Sequence, residues 1–262
     1  MARALIQGAS RGLGLQFCRH ILKSAPSAYV FATCRNPSSA DDLHLLRDSY
    51  PERLEIVELD VTQEGQIKNA AELVKERSNG SVDLLINCAA MLHPSGKGET
   101  SLKDVSGMGL LDTFSTNTIG PLLMAKYFAP LLAKGSGSFG QPSEDQKKKH
   151  TGVLVNMSAR VGSITDNVLG GWYSYRMSKS ALNMATKNLS LELGRGRSKV
   201  ICVCFHPGTV NTDLSRPYHR NVPKDKLFTT EYSVECLMSI VDKLSMDDTG
   251  KYMAWDGQEI AF

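Results

Sequence analysis

The chain has 262 residues, 42% of them hydrophobic, and its 30 basic and 27 acidic side chains leave a net charge of +3. That apolar content excludes a disordered chain, and the near-balance of charge gives no electrostatic ground for nucleic acid or an anionic membrane as partner. The length suits one large α/β domain. The first strand candidate is "RALIQ" (3–7), and it runs straight into "IQGASRGLG" (6–14), which places Gly8, Gly12 and Gly14 ahead of a helical pattern. Further candidates follow: "AYVFATC" (28–34), "LEIVELD" (54–60), "VDLLIN" (82–87), "GVLVNMS" (152–158), "KVICVCF" (199–205) and a short closing "KYMAW". Most are apolar on both alternating faces, as parallel strands covered on two sides must be. Between them run helical spacings such as Leu13, Phe17 and Ile21, or Ile67, Ala70, Ala71 and Val74. Strands alternating with helices predict an α/β fold: a single domain over 1–262 with a doubly wound parallel sheet and helices on both faces. The polar stretch 134–150, "KGSGSFGQPSEDQKKKH", reads as a solvated surface loop, because its lysines stand beside Glu144 and Asp145.

Cys18, Cys34, Cys88, Cys202, Cys204 and Cys236 show no C-x-x-C pair and no zinc-like spacing. They read as packed thiols in a reducing compartment, with no metal site expected. No apolar run reaches membrane-span length. A strand candidate starting at Arg3 carries no signal-peptide pattern, so the expectation is a cytoplasmic protein, or an organellar one after removal of a transit peptide.

The glycine spacing is G-x-x-x-G-x-G rather than G-x-G-x-x-G. An ordinary turn between strand and helix needs one glycine and does not explain three. At the carboxyl end of a first strand, such a loop presents bare N–H groups and a positive helix end to a diphosphate. Gly12 then lets the backbone approach the ligand, Gly14 lets the helix pack on the sheet, and Gly8, Ser10 and Leu13 complete the loop. The second strand ends in "ATCRNP". An acidic residue there would bind a ribose 2′-hydroxyl; Arg35 suits a 2′-phosphate, with Arg11 reaching the same group. NADP(H) is therefore expected in preference to NAD(H).

The stretch 170–194, "GGWYSYRMSKSALNMATKNLSLELG", has the period of a long helix, and Tyr175 and Lys179 share one of its faces. A phenol beside an ammonium is a proton donor if its pKa, near 10 when unperturbed, falls; each unit is worth about 1.4 kcal/mol. The charge of Lys179 is the expected cause. Ser158 ends the fifth strand at the same sheet edge as the glycine loop, with a hydroxyl able to donate to a carbonyl oxygen. Asn117, in "FSTNTIGP", lies on a predicted helix. Both also have bland readings, in which Asn117 satisfies backbone groups and Ser158 caps a turn.

With these residues in place the chain resembles the short-chain dehydrogenase/reductase family over essentially its whole length. "GASRGLG", "LDV" (59–61), "NCAA" (87–90), Ser158 ahead of "YSYRMSK", and "HPGTVNTDL" (206–214) follow in order. The wording of the last two is similar to a carbonyl-reductase subgroup that includes sniffer and C-factor proteins. The resemblance implies a Rossmann-type domain with a seven-stranded parallel sheet, acting on a small-molecule carbonyl substrate with NADPH. Tyr175 would be the acid/base, with Lys179 as its pKa partner and a ligand of the nicotinamide ribose. Ser158 would hold the carbonyl, and Asn117 would anchor a water relay to Lys179. Asp60 and Val61 would flank the adenine, Asn87 and Ala89 would line the cofactor, and Pro207, Gly208, Val210 and Thr212 would border the nicotinamide end.

The segment 215–228, "SRPYHRNVPKDKLF", would lie on the substrate side with Tyr218 and His219, and Met91 and His93 are further candidates. Association as a dimer or tetramer through the Tyr-bearing helix is implied as well. Two departures stand out: Gln7 occupies a usual Thr position, and "NCAA" replaces the commoner "NNAG". Two rival readings share the fold, an NAD(P)-dependent alcohol oxidation and a non-catalytic cofactor-binding sensor or scaffold.

Overall fold

Apolar runs become strands here because both of their faces are covered. The computed structural model describes residues 1–145 and 148–262, so residues 146 and 147 of the polar loop lie outside the described residues. Strands β1 (Arg3–Gln7), β2 (Tyr29–Cys34), β3 (Leu54–Glu58), β4 (Leu84–Asn87), β5 (Gly152–Met157), β6 (Val200–His206) and β9 (Tyr252–Ala254) form one sheet. Its order is β3-β2-β1-β4-β5-β6-β9, and every pair is parallel. Two-residue strands β7 (Thr209–Val210) and β8 (Leu227–Phe228) pair with each other outside it.

Helices α1 (Gly12–Ser24), α2 (Asp41–Ser49), α3 (Glu64–Arg77), α4 (Gly107–Phe114), α5 (Gly120–Leu132), α6 (Tyr173–Leu193) and α7 (Thr230–Val241) alternate with the strands. Phe17, Ile21, Leu43, Val234 and Leu237 of α1, α2 and α7 bury one face of the sheet. Ile67, Val74, Met124 and Phe128 of α3 and α5 bury the other, joined by Leu189 of α6. Among the described residues, no helix is long and apolar enough to cross a membrane.

The order in which strands are added across the sheet reverses between β1 and β4, where Gln7 and Asn87 stand in register. A reversal of this kind opens a crevice beyond the carboxyl ends of the strands. Buried Asp83 fixes the opposite ends: its carboxylate accepts from the N–H of Arg3 at 2.7 Å and from the N–H of Ser136 at 2.6 Å. The polar loop is more anchored than its composition suggests. Phe139 is buried, its carbonyl accepts from Nε2 of His150 at 2.6 Å, and Lys148 pairs with Asp247 at 2.5 Å.

Candidate active site

The glycine loop sits at the switch between β1 and β4. Gly8 has φ +83°, and a Cβ on it would come within 2.6 Å of the Ala89 nitrogen. A Cβ on Gly14 would run into the Gly8 carbonyl, so the helix can pack this closely only without one. Gly12 (φ +57°) differs: its Cβ would meet only Thr212, whose Cγ2 lies 3.5 Å away, across the crevice mouth. Helix α1 begins with no side-chain cap and no acidic residue in its first turn. Its free N–H groups and positive end therefore face the crevice. Leu13 packs on the core below.

Ser10, Arg11 and Arg35 line an open polar hollow of about 580 Å³ together with Asn36, Ser39, Asp41 and Asp42. Arg35 is exposed and has no ionic partner among the described residues. Arg11 instead leans across the mouth to Asp213, 3.1 Å from its carboxylate. On the next strand end, the Asp60 carboxylate accepts from the N–H and hydroxyl of Thr62 at 2.9 and 2.7 Å. Val61 is buried against Gly120. At the far side Gly208 (φ +79°) lets the ring of Phe228 close in, Val210 is buried, and the Pro207 carbonyl accepts from the Ser233 hydroxyl at 2.7 Å.

Two expected side chains are engaged in hydrogen bonds within the fold. Asn87 is buried, and its amide donates to Asn156 at 2.8 Å, which donates in turn to Thr186 at 2.8 Å. Asn117 lies not in regular α-helix but in a π-turn, Ser115–Ile119, between α4 and α5. Its amide donates to the Met91 carbonyl at 2.8 Å and to Ser178 at 3.0 Å, and its oxygen accepts from the Met91 N–H at 2.9 Å. Both N–H donors of the side chain are thereby used.

Tyr175, Lys179 and Ser158 do come together. Tyr175 and Lys179 are buried on one face of α6, with the ammonium 5.8 Å from the phenol ring centroid. Lys179 Nζ donates to the carbonyl of Met157, the last residue of β5, at 2.8 Å. Ser158 follows directly, and its hydroxyl donates to Asn183 at 2.6 Å. The expected acidification of Tyr175 is reversed. Burial, with the neighbouring phenols of Tyr218 and Tyr252, pushes its pKa up. Burial likewise lowers Lys179 to about 8. Desolvation outweighs attraction because the ammonium turns toward Met157 rather than toward the phenol oxygen.

Residues 2–223 match the model of the short chain dehydrogenase family. The chain belongs to that family. It is an oxidoreductase, and an uncharacterized oxidoreductase of Saccharomyces cerevisiae is 30% identical over 98% of this chain and 96% of its own length. Among solved structures, the NADPH-bound carbonyl reductase from chicken fatty liver superposes with a TM-score of 0.86 at 33% identity, covering 100% of this chain and 99% of its own. The carbonyl reductase Sniffer of Drosophila melanogaster gives 0.86 at 30% identity, with both chains covered in full.

Within this short-chain dehydrogenase, Gln7 replaces the usual Thr with a longer tie: its side-chain oxygen accepts from the Ala89 N–H at 3.0 Å. The bond holds the "NCAA" segment to β1. Asn183 escaped the sequence reading although its signal was present, since it lies one helical turn beyond Lys179 on the same face. Trp172 carries no such spacing signal. It adopts a left-handed backbone (φ 49°, ψ 46°) directly before α6 and packs 5.0 Å from Tyr218 and 6.3 Å from Tyr175.

Proposed function

We propose that the protein reduces an aldehyde or ketone to an alcohol with NADPH. The observation that carries this reading is a phenol kept protonated by burial, beside an ammonium, at the open switch of the sheet. Burial keeps the phenol in its protonated form, the form that reduction requires of a proton donor, and leaves little phenolate to serve as the base of alcohol oxidation. The crevice fits a dinucleotide. The uncapped start of α1 and the gap over Gly12 suit a diphosphate. Exposed Arg35 suits a 2′-phosphate, Asp60 and Val61 suit the adenine, and Ala89 with the 207–212 strap suits the nicotinamide end. Bound there, the reduced nicotinamide would supply the hydride taken up by the carbonyl carbon.

The protein's own residues handle the proton. Tyr175 delivers it to the carbonyl oxygen as that oxygen gains charge, and the Lys179 ammonium stabilises the phenolate left behind. The Ser158 hydroxyl turns from Asn183 to the same oxygen. Burial of Ser158 and its pairing with Asn183 mean that a substrate oxygen must displace an existing bond.

The exposed apolar side chains Met177, Met184 and Leu191 recur every seven residues along α6, beside exposed Met108, Leu111 and Leu122 of α4 and α5. This stripe supports self-association through α6. Free cysteines throughout fit a reducing compartment such as the cytoplasm.

Lys179 is charged below about pH 8 and neutral above it. Carbonyl reduction is expected to fall about tenfold per pH unit beyond that point, in profiles of NADPH consumption with a panel of aldehydes and ketones. A profile flat to about pH 10, or no turnover with any of them, would count against the reading. For the cofactor, Arg35→Asp is expected to weaken NADPH binding about tenfold or more while NADH binding changes by no more than about twofold, measured by calorimetry. Equal losses would remove the basis for NADP preference. Sedimentation should give a mass of at least twice 28.6 kDa, reduced to that of one chain by Met184→Lys; a monomeric parent excludes the interface.

A further inference from the structure

Helix α6 carries Tyr175 and Lys179, yet it lacks a cap of its own. Trp172 at the cap position offers no acceptor, and the first turn has no acidic residue. Such an end leaves N–H groups unpartnered and a positive pole uncompensated. Glu99, from the segment that follows β4, takes the place of the missing cap. Its carboxylate Oε1 accepts from the Ser174 N–H at 3.1 Å and also from the Ser174 hydroxyl. Its main-chain carbonyl accepts from the Trp172 N–H at 2.6 Å. Glu99 is 3% exposed, a depth at which a carboxylate is rarely found without a purpose.

Trp172, whose N–H is one of these anchor points, has a backbone conformation that residues other than glycine seldom adopt. Its indole lies against Gly98, where any Cβ would run into the ring. The indole also packs against the rings of Tyr218 and, edge-on, Tyr175. The dipeptide Gly98-Glu99 thus grips the residues on the amino-terminal side of the proposed proton donor, one by shape and one by hydrogen bonding.

We infer that Glu99 is a positioning residue, which locks the start of α6 to the 88–106 segment so that Trp172 walls the crevice and Tyr175 is held at the height of the substrate carbonyl. The functional half of this inference rests on Tyr175 being the proton donor; the structural half does not. Glu99 itself touches none of the reacting atoms, so its effect passes through Trp172 and Ser174. Misplacing a reacting group by a fraction of an ångström slows chemistry without abolishing cofactor binding.

Two readouts separate these halves. The chain has two tryptophans, so Trp255→Phe leaves Trp172 as the sole reporter. In that background Glu99→Ala is expected to shift Trp172 emission to the red and to raise its quenching by acrylamide about twofold or more. With NADPH and 4-nitrobenzaldehyde as probe, it is expected to lower kcat about tenfold or more while the Kd for NADPH stays within about threefold. Glu99→Gln keeps an oxygen that can accept from Ser174, so it is expected to recover most of both signals. Should Glu99→Ala fail to fold, Glu99→Asp, one methylene short of Ser174, carries the same readouts. Unchanged emission and quenching in a folded variant would overturn the clamp. Changed emission with an unchanged kcat would overturn the positioning role. If the parent reduces no carbonyl at all, the emission measurements still decide the clamp on their own.

Discussion

Lys179 is 2% exposed, and its ammonium donates to the carbonyl of Met157 at 2.8 Å and pairs with no carboxylate among the described residues. Removing a charge from water without a counter-ion is costly, and the cost lowers the pKa to about 8. The same dry surroundings push the Tyr175 phenol up. Two groups on one helix face are thus both driven toward their neutral forms. In the proposed reduction, loss of the phenol proton would leave a buried phenolate, and the Lys179 ammonium would be its counter-ion, each charge offsetting the desolvation of the other.

That arrangement needs a rigid frame, and buried polar bonds supply it. The end of β5 presents both Met157 and Ser158, so the lysine and the serine are placed by one strand. The π-turn at Asn117 stitches the segment after β4 to α6 through Met91 and Ser178. Asn87, Asn156 and Thr186 run from β4 through β5 to α6, and the Cys204 thiol of β6 donates to Thr186 at 3.0 Å. The Asn87 side-chain oxygen is left without a partner among the described residues, and the bonds that are made tie β4, β5, β6 and α6 together. Glu99 and Trp172 extend the frame to the substrate side.

Much of this was legible in residue order. Strands apolar on both faces announced a parallel sheet, and three glycines after the first of them announced the switch-point loop. Tyr175 and Lys179 share a helix face by spacing, and it was Ser158, Asn117 and the surrounding motifs that singled the pair out. Other features depend on distances that spacing does not encode. The direction of the Tyr175 shift follows from burial, and the sequence names the neighbouring charge but not the loss of water. The amide of Asn117 is consumed by Met91, twenty-six residues away, through a π-turn that an α-helical pattern conceals. Arg11 meets Asp213 because the two loops face each other across the crevice. Glu99 and Ser174 are separated by 75 residues, so the cap of α6 is invisible to any local rule for helix starts.

The most direct test is the rate of NADPH oxidation by Tyr175→Phe with an aldehyde in excess, alongside its affinity for NADPH. Loss of the hydroxyl should slow turnover about 10²–10⁴-fold and leave cofactor affinity within about twofold. A variant that consumes NADPH as fast as the parent would mean that the proton comes from elsewhere, and that the buried phenol and ammonium are architecture only.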